Sequence, residues 1–174
     1  MKFVEETFTP SEAEAITGVS TTTQRDWRRN GYLPDGDGSW TRYSIEQIAF
    51  LFITGMLAKF GVKPSVSTTI AAAQSSRKKS AVALVTIFAK NNPKALSNRI
   101  SAGGELPIKP PPAWTPPRFL IAAGADAGDL CLADDTSKSF DGSVPGAITI
   151  DLRSIADLIV KRAGKPLVRV AEDD

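Results

Sequence analysis

Apolar positions along this chain follow two different periods. Up to about residue 100 they recur with helical spacing, and beyond residue 118 they fall into short blocks of strand length. Thr9-Pro10-Ser11-Glu12 is a helix start: Thr9 is a capping residue, Pro10 suits the first helical position, and Glu12 completes a capping box. Ala13 and Ile16 supply an apolar face, and Gly18 closes the helix in a left-handed turn. Val19 is the apolar turn residue, and Ser20 caps a second helix that runs through Asn30 and stops at Gly31. Trp27 is its inward residue; Thr21, Thr22, Arg25, Arg28 and Arg29 point outward. Pro34 to Trp40 (PDGDGSW) is a turn-forming run that short flanking strands would make into a hairpin, or wing.

Ser44 caps a third helix, Ile45 to about Phe60. Ile45, Ile48, Ala49, Leu51, Phe52, Met56 and Leu57 make it apolar on more than one face, as a core helix is. Gly61 ends it, and Pro64 opens a small-residue helix through about Ser75. Arg77-Lys78-Lys79 is a short basic run. Ala81, Leu84, Val85 and Phe88 then fall at i, i+3, i+4 and i+7, which predicts a helix ending near Asn92-Pro93, with a further short helix over Pro93 to Ser101. Six prolines between Gly103 and Pro117 read as a stiff, extended connector. Beyond it the pattern predicts strands at Phe119–Ala123, Leu130–Ala133, Ala147–Leu152 and Leu167–Val170. An amphipathic helix, Ser154–Ala163, turns Ile155, Leu158 and Ile159 inward and is capped by Gly164.

These elements predict an α+β chain in four parts. Residues 1–76 form a mainly helical head, 77–102 a helical region suited to dimerisation, 103–117 the proline-rich connector, and 118–174 a small α/β module. Charge follows the same division. The whole chain of 174 residues carries only +2. Residues 80–118 hold five basic and one acidic side chain, net +4, whereas 119–174 hold six basic and ten acidic, net −4. A nucleic-acid backbone would attract the first and repel the second.

Composition narrows the chemistry. With 42 % hydrophobic and 23 % charged residues the chain is an ordinary globular protein. No apolar run reaches the ~18 residues of a membrane span, and the start MKFVEETF lacks the layout of a signal peptide. No membrane partner and a cytoplasmic location are therefore expected. One cysteine, Cys131, excludes an internal disulfide framework, and the absence of histidine excludes His-based triads and imidazole metal ligands. Gly124-Ala125-Asp126-Ala127-Gly128 lacks the Lys-Ser/Thr of a phosphate loop and reads as a hairpin turn. Asp134, Asp135 and Asp141 lack EF-hand spacing. No catalytic constellation is visible, so no enzyme activity, no cofactor and no metal are expected.

The second helix is the candidate site. Arginine grips a guanine edge bidentately, threonine contacts a phosphate or a thymine methyl, and a helix N-terminus favours a phosphate. Thr21, Thr22, Thr23, Arg25, Arg28 and Arg29 supply these groups. Trp40, Arg42 and Tyr43 add aromatic and cationic contacts for the backbone or minor groove. Trp40 suits wing packing as well as DNA contact, and Tyr43 packs with its hydroxyl left for a phosphate. The alternative for Arg25, Arg28 and Arg29 is a solvated helix face pairing with Asp26 and nearby acids.

From Val19 to Tyr43 the chain resembles the MerR family of winged helix-turn-helix regulators. Gly18-Val19-Ser20 matches the family's turn, Thr23 and Arg25 its Thr and Arg, Trp27 its second aromatic, and Gly31, Leu33 and Pro34 its exit. Arg42-Tyr43-Ser44 before IEQIAFLFITGMLAKFGV resembles the element that follows the wing. The resemblance covers roughly residues 7–76. Gln24 stands where the family has an apolar residue, Asp26 replaces the first aromatic, Thr41 replaces a wing arginine, and Asp35 and Asp37 make the wing acidic. The long dimerising coiled coil and the effector-sensing cysteines are not evident. The resemblance implies a DNA-binding head but not the family's sensing mechanism. A sequence-specific regulator on double-stranded DNA is expected, working as a homodimer because one small head needs a second copy for useful affinity. Its C-terminal module would pair the copies or bind a small-molecule or protein effector. An excisionase-like or packaging DNA protein and a protein-interaction module are the alternatives on the same head.

Overall fold

A computed structural model describes residues 2–33, 42–72, 80–96, 117–123, 129–134 and 147–171. The expected wing, the Arg77-Lys78-Lys79 run, the Gly103–Pro116 stretch and the Gly124–Gly128 turn lie outside these residues. In chain order the elements are β1 (Lys2–Glu5), α1 (Pro10–Thr17), α2 (Thr21–Arg29), α3 (Ile45–Lys59), α4 (Pro64–Ala72) and α5 (Ala81–Lys90). After a 3-10 turn at Pro93–Ala95 come β2 (Phe119–Ala123), β3 (Asp129–Ala133), β4 (Ala147–Asp151), α6 (Leu152–Ala163) and β5 (Val168–Ala171). The architecture is α+β, with helices and two small antiparallel sheets.

Local chemistry explains the helix limits. The Thr9 hydroxyl accepts the Glu12 amide at 3.2 Å and the Glu12 carboxylate accepts the Thr9 amide at 2.7 Å, so both ends of the capping box are closed. Ser44 and Gln47 repeat the arrangement at the start of α3, and Ser80 caps α5. Gly18 (φ 75°) and Gly164 (φ 65°) end α1 and α6 in the left-handed region, where a Cβ would be strained.

Three boundaries differ from the sequence pattern. Leu152 opens α6 rather than closing a strand, because Asp151 takes the cap position and accepts the Arg153 and Ser154 amides. Where a helix was expected from Pro93, a single 3-10 turn leads to Leu96, which bridges Val168. Strand β1 has no counterpart among the predicted elements. It pairs with β5 in the register Lys2↔Ala171 to Glu5↔Val168, joining opposite ends of the chain.

The second sheet has the order β3-β2-β4, and Leu120, Ala122 and Ile150 belong to the same buried cluster as α6. That cluster is continuous. It contains Ile16, Val19 and Trp27 from the first two helices, Ile48, Leu51, Ile53 and Leu57 from α3, Leu84 and Val85 from α5, and Leu152, Ile155 and Ile159 from α6. Ten of the fifteen residues of α3 are buried, so it is the central helix. No residue of α5 is exposed: it lies between α3, α4 and α6. The elements before and after the proline-rich stretch thus contribute to one core.

Candidate nucleic-acid interface

The candidate site is the pair α1–α2 and the segment from Arg42 that returns beside it. Gly18 donates to the Glu14 carbonyl at 2.7 Å and turns the chain. Val19 then drops into the core, 5 % exposed, against Gly55 of α3. A Cβ on Gly55 would lie within 3.0 Å of Val19 Cγ2, so the glycine makes the space that the turn needs. The Ser20 hydroxyl accepts the Thr23 amide at 3.1 Å and starts α2.

Gln24, at a position where an apolar residue was anticipated, is 1 % exposed. Its amide nitrogen donates to the Val19 carbonyl at 2.8 Å and the Pro10 carbonyl at 3.1 Å, tying α2 to the turn and to the start of α1. Its Oε1 has no partner among the described residues. Trp27 is buried, as its inward assignment requires. Gly31, at φ 70°, ends the helix, and the Tyr32 amide closes back onto the Trp27 carbonyl at 2.8 Å.

Opposite this buried side, Thr22, Arg25 and Arg29 are exposed and Thr21 is half-buried. Arg25 and Arg29 stand four residues apart, one above the other on a single face. Among the described residues neither forms an ion pair, Asp26 included. Of the other predicted contact residues, Thr23, Arg28, Arg42 and Tyr43 are held by partners within the fold. The Thr23 hydroxyl lies 2.8 Å from Ser20 Oγ, inside the cap. Arg28 donates to the Tyr43 hydroxyl at 2.7 Å, with its guanidinium 5.2 Å from the centre of that ring. Tyr43 itself is buried and exchanges main-chain hydrogen bonds with Phe8. Burial raises its phenol pKa above the ordinary 10, with the Arg28 charge pulling the other way. Arg42 is exposed, and its Nε donates to Thr7 Oγ1 at 2.5 Å. Trp40 lies outside the described residues.

No protein-family model matches the chain, and no curated protein shows significant similarity to it.

Two groups at this site carry no simple sequence signal. The Glu14 carboxylate accepts the amide of Thr21, the first residue of α2, at 3.1 Å. The Lys59 ammonium stands at the turn, 3.3 Å from where a Cβ of Gly18 would be. Glu14 and Thr21 belong to different helices on either side of the turn, and Lys59 arrives from the end of α3, so periodicity within one helix reveals neither contact.

The C-terminal elements hold α1 from behind. Arg162 donates to the Ile16 carbonyl at 2.9 Å and stacks 5.5 Å from the Phe52 ring centre. Lys165 pairs with Glu12 at 2.8 Å, donates to the Thr7 carbonyl at 3.3 Å and lies 4.8 Å from the Phe8 ring centre. The Lys165 hydrogen bond, aided by the Thr9 amide, holds the Glu12 carboxyl at a pKa of about 2.

A cavity of about 1010 Å³ opens beside the exit of α2, lined among others by Tyr32, Leu33, Gln47, Phe50 and Thr69. Arg42 and Glu46 are the charged groups among its described lining. Among the described residues no three metal-ligating side chains cluster, and no helix is long and apolar enough to cross a membrane.

Proposed function

We propose that this protein is a sequence-specific, double-stranded DNA-binding regulator whose α2 enters the major groove. The observation that carries the reading is the two-sidedness of α2. Gln24 and Trp27 bind its inner side to the core, while Arg25 and Arg29 stand exposed one turn apart, from the middle of the helix to its end. A rigid, packed helix presenting guanidinium groups in register is what bidentate reading of guanine edges needs. Arg28, fixed on Tyr43, serves as a positioning contact to the backbone rather than a base reader.

The head is of the MerR-like winged helix-turn-helix kind. The protein is cytoplasmic, acts as a homodimer on paired half-sites, and has no enzymatic role. With no exposed residue, α5 has little free surface to offer a second copy. The segments after it are the proposed place of the pairing surface and of any small-molecule or protein effector site.

The test is a shift assay on a random-sequence duplex pool followed by selection of bound DNA. Arg25→Ala and Arg29→Ala are each expected to weaken binding, by about 1–3 kcal/mol where the residue reads a base, and to lower the salt slope by about one where it meets a phosphate. Equal binding by wild type and both variants at physiological salt refutes the α2 assignment. Cooperative coverage of the duplex instead of a discrete selected site would give the same head an architectural role. Binding without salt dependence would point to a protein-interaction module.

A further inference from the structure

From the contact between Glu14 and the start of α2, we infer that Glu14 is a built-in competitor for DNA phosphate, an intramolecular carboxylate that limits the affinity of the proposed interface. The inference rests on the DNA-binding reading above. The Thr21 amide is the first backbone donor of a nine-residue helix, and its acceptor is the exposed Glu14 carboxylate at 3.1 Å rather than solvent. The Thr22 amide, next in line, has no partner among the described residues. Backbone N–H groups at a helix start, reinforced by the helix dipole, are a preferred seat for a phosphate oxygen. Here the seat is taken by an anion of the protein itself.

The surroundings define what the carboxylate opposes. Lys59 stands at the same turn, and Arg25 and Arg29 extend along the exposed face of α2. Asp26, the acid of α2 itself, is exposed, but it lies beyond the first turn and accepts nothing at the helix start. A phosphate arriving at Thr21 and Thr22 must displace Glu14 or settle beside it. In the first case it gives up a hydrogen bond already made; in the second it meets like charge at contact distance. The same carboxylate stabilises the free protein, because a negative group at a helix N-terminus is favourable. Glu14 therefore acts with opposite sign on folding and on binding, which a purely structural residue does not do.

Glu14→Gln separates these roles, since the amide oxygen still accepts from Thr21 while the charge is gone. Binding of wild type, Glu14→Gln and the Arg25→Ala/Arg29→Ala double variant is measured on a random-sequence duplex between about 50 and 200 mM salt, alongside thermal unfolding of each. Glu14→Gln is expected to bind about fivefold tighter, equivalent to ~1 kcal/mol for unit charges ~4 Å apart in water. Its salt dependence should steepen by about one ion. Its Tm should fall by about 1–3 °C, as loss of a helix-dipole partner requires. If the arginine variant loses binding while Glu14→Gln binds equally or more weakly than wild type, the competitor role is overturned and the DNA reading stands. If the arginine variant binds like wild type, the DNA reading fails and takes this inference with it.

Discussion

Gly55→Ala tests how the turn between α1 and α2 is seated. Glycine inside a helix is ordinarily a weakness, and replacing it with alanine gains about 1 kcal/mol of helix propensity. Gly55 lies in the middle of α3 and is buried, and the added methyl would fall within 3.0 Å of Val19 Cγ2. Val19 is 5 % exposed in the core, between backbone turns at Gly18 and Ser20, with little room to retreat. Overpacking of this kind costs about 1–3 kcal/mol and has to exceed the propensity gain for the substitution to destabilise. Because a near-rigid turn is struck rather than the end of a flexible side chain, we expect a net loss of about 1–2 kcal/mol, or a Tm lower by roughly 2–8 °C at this chain length.

The reasoning is sharpest in a double-mutant cycle followed by thermal unfolding or by urea midpoints. Val19→Ala alone removes two buried methyl groups and costs about 1–3 kcal/mol. In that background the clash is gone, the methyl added by Gly55→Ala fills part of the space, and the propensity gain remains. Gly55→Ala should then stabilise, so its sign inverts between the two backgrounds, with a coupling of at least ~1 kcal/mol. A rise in Tm on Gly55→Ala in the wild-type chain, or the same shift in both backgrounds, would refute the claim that Val19 is seated by the missing side chain.

Stability should also fall in acid. Hydrogen bonds from Lys165 hold Glu12 at a pKa of about 2 instead of 4.5, and those from Arg118 hold Asp151 at about 2 instead of 3.8. Folded pKa values below the unfolded ones give stabilisation that is complete above about pH 4.5 and drains as pH falls toward 2. Both carboxyls are partly exposed, so the loss is about 1–3 kcal/mol in all after solvent screening. Urea midpoints at about pH 6 and pH 3 should differ accordingly, and Glu12→Gln with Asp151→Asn should flatten the difference; an unchanged difference in that variant refutes the assignment. Separately, a fragment ending at Pro117 should not unfold cooperatively. It lacks Leu152, Ile155, Ile159, Val160, Leu167 and Val168, all buried in the intact chain. At about 1.5–3 kcal/mol each their loss is comparable to the whole stability of a typical domain. A sharp thermal transition in that fragment would contradict the shared core.

Much of the local structure is legible because its causes lie within a few residues of one another. Thr9 with Glu12, Ser20, Ser44 and the left-handed Gly18 and Gly164 mark element ends by hydrogen bonds that span three or four positions. The inward placement of Trp27 and the many-sided burial of α3 follow from apolar spacing. Leu152 escapes this reading because Ile148, Ile150 and Leu152 alternate like a strand, whereas the Asp151 carboxylate captures the next two amides and starts a helix.

The long-range arrangement is a different matter. Strand β1 is four residues, KFVE, with no turn signal toward a partner, and it exists by pairing with residues 168–171. Gln24 reads as a departure from an apolar pattern, yet it is buried by donating to two carbonyls that only the α1–α2 packing brings together. Tyr43 meets Arg28 across fifteen residues, and Arg162 meets Ile16 across 146. A helix that buries one stripe shows which side faces inward but not which neighbour it faces. The sequence by itself therefore determined the caps, the inward side of α2 and its exposed Arg25 and Arg29, but not the whole face of α6, where Leu158, read as inward, is exposed. Only the tertiary structure decided that α6 and β5 close the same core as the N-terminal helices, and that Glu14 sits on the first amide of α2. Capping and periodicity act through neighbours along the chain, whereas these contacts join groups that folding alone makes adjacent.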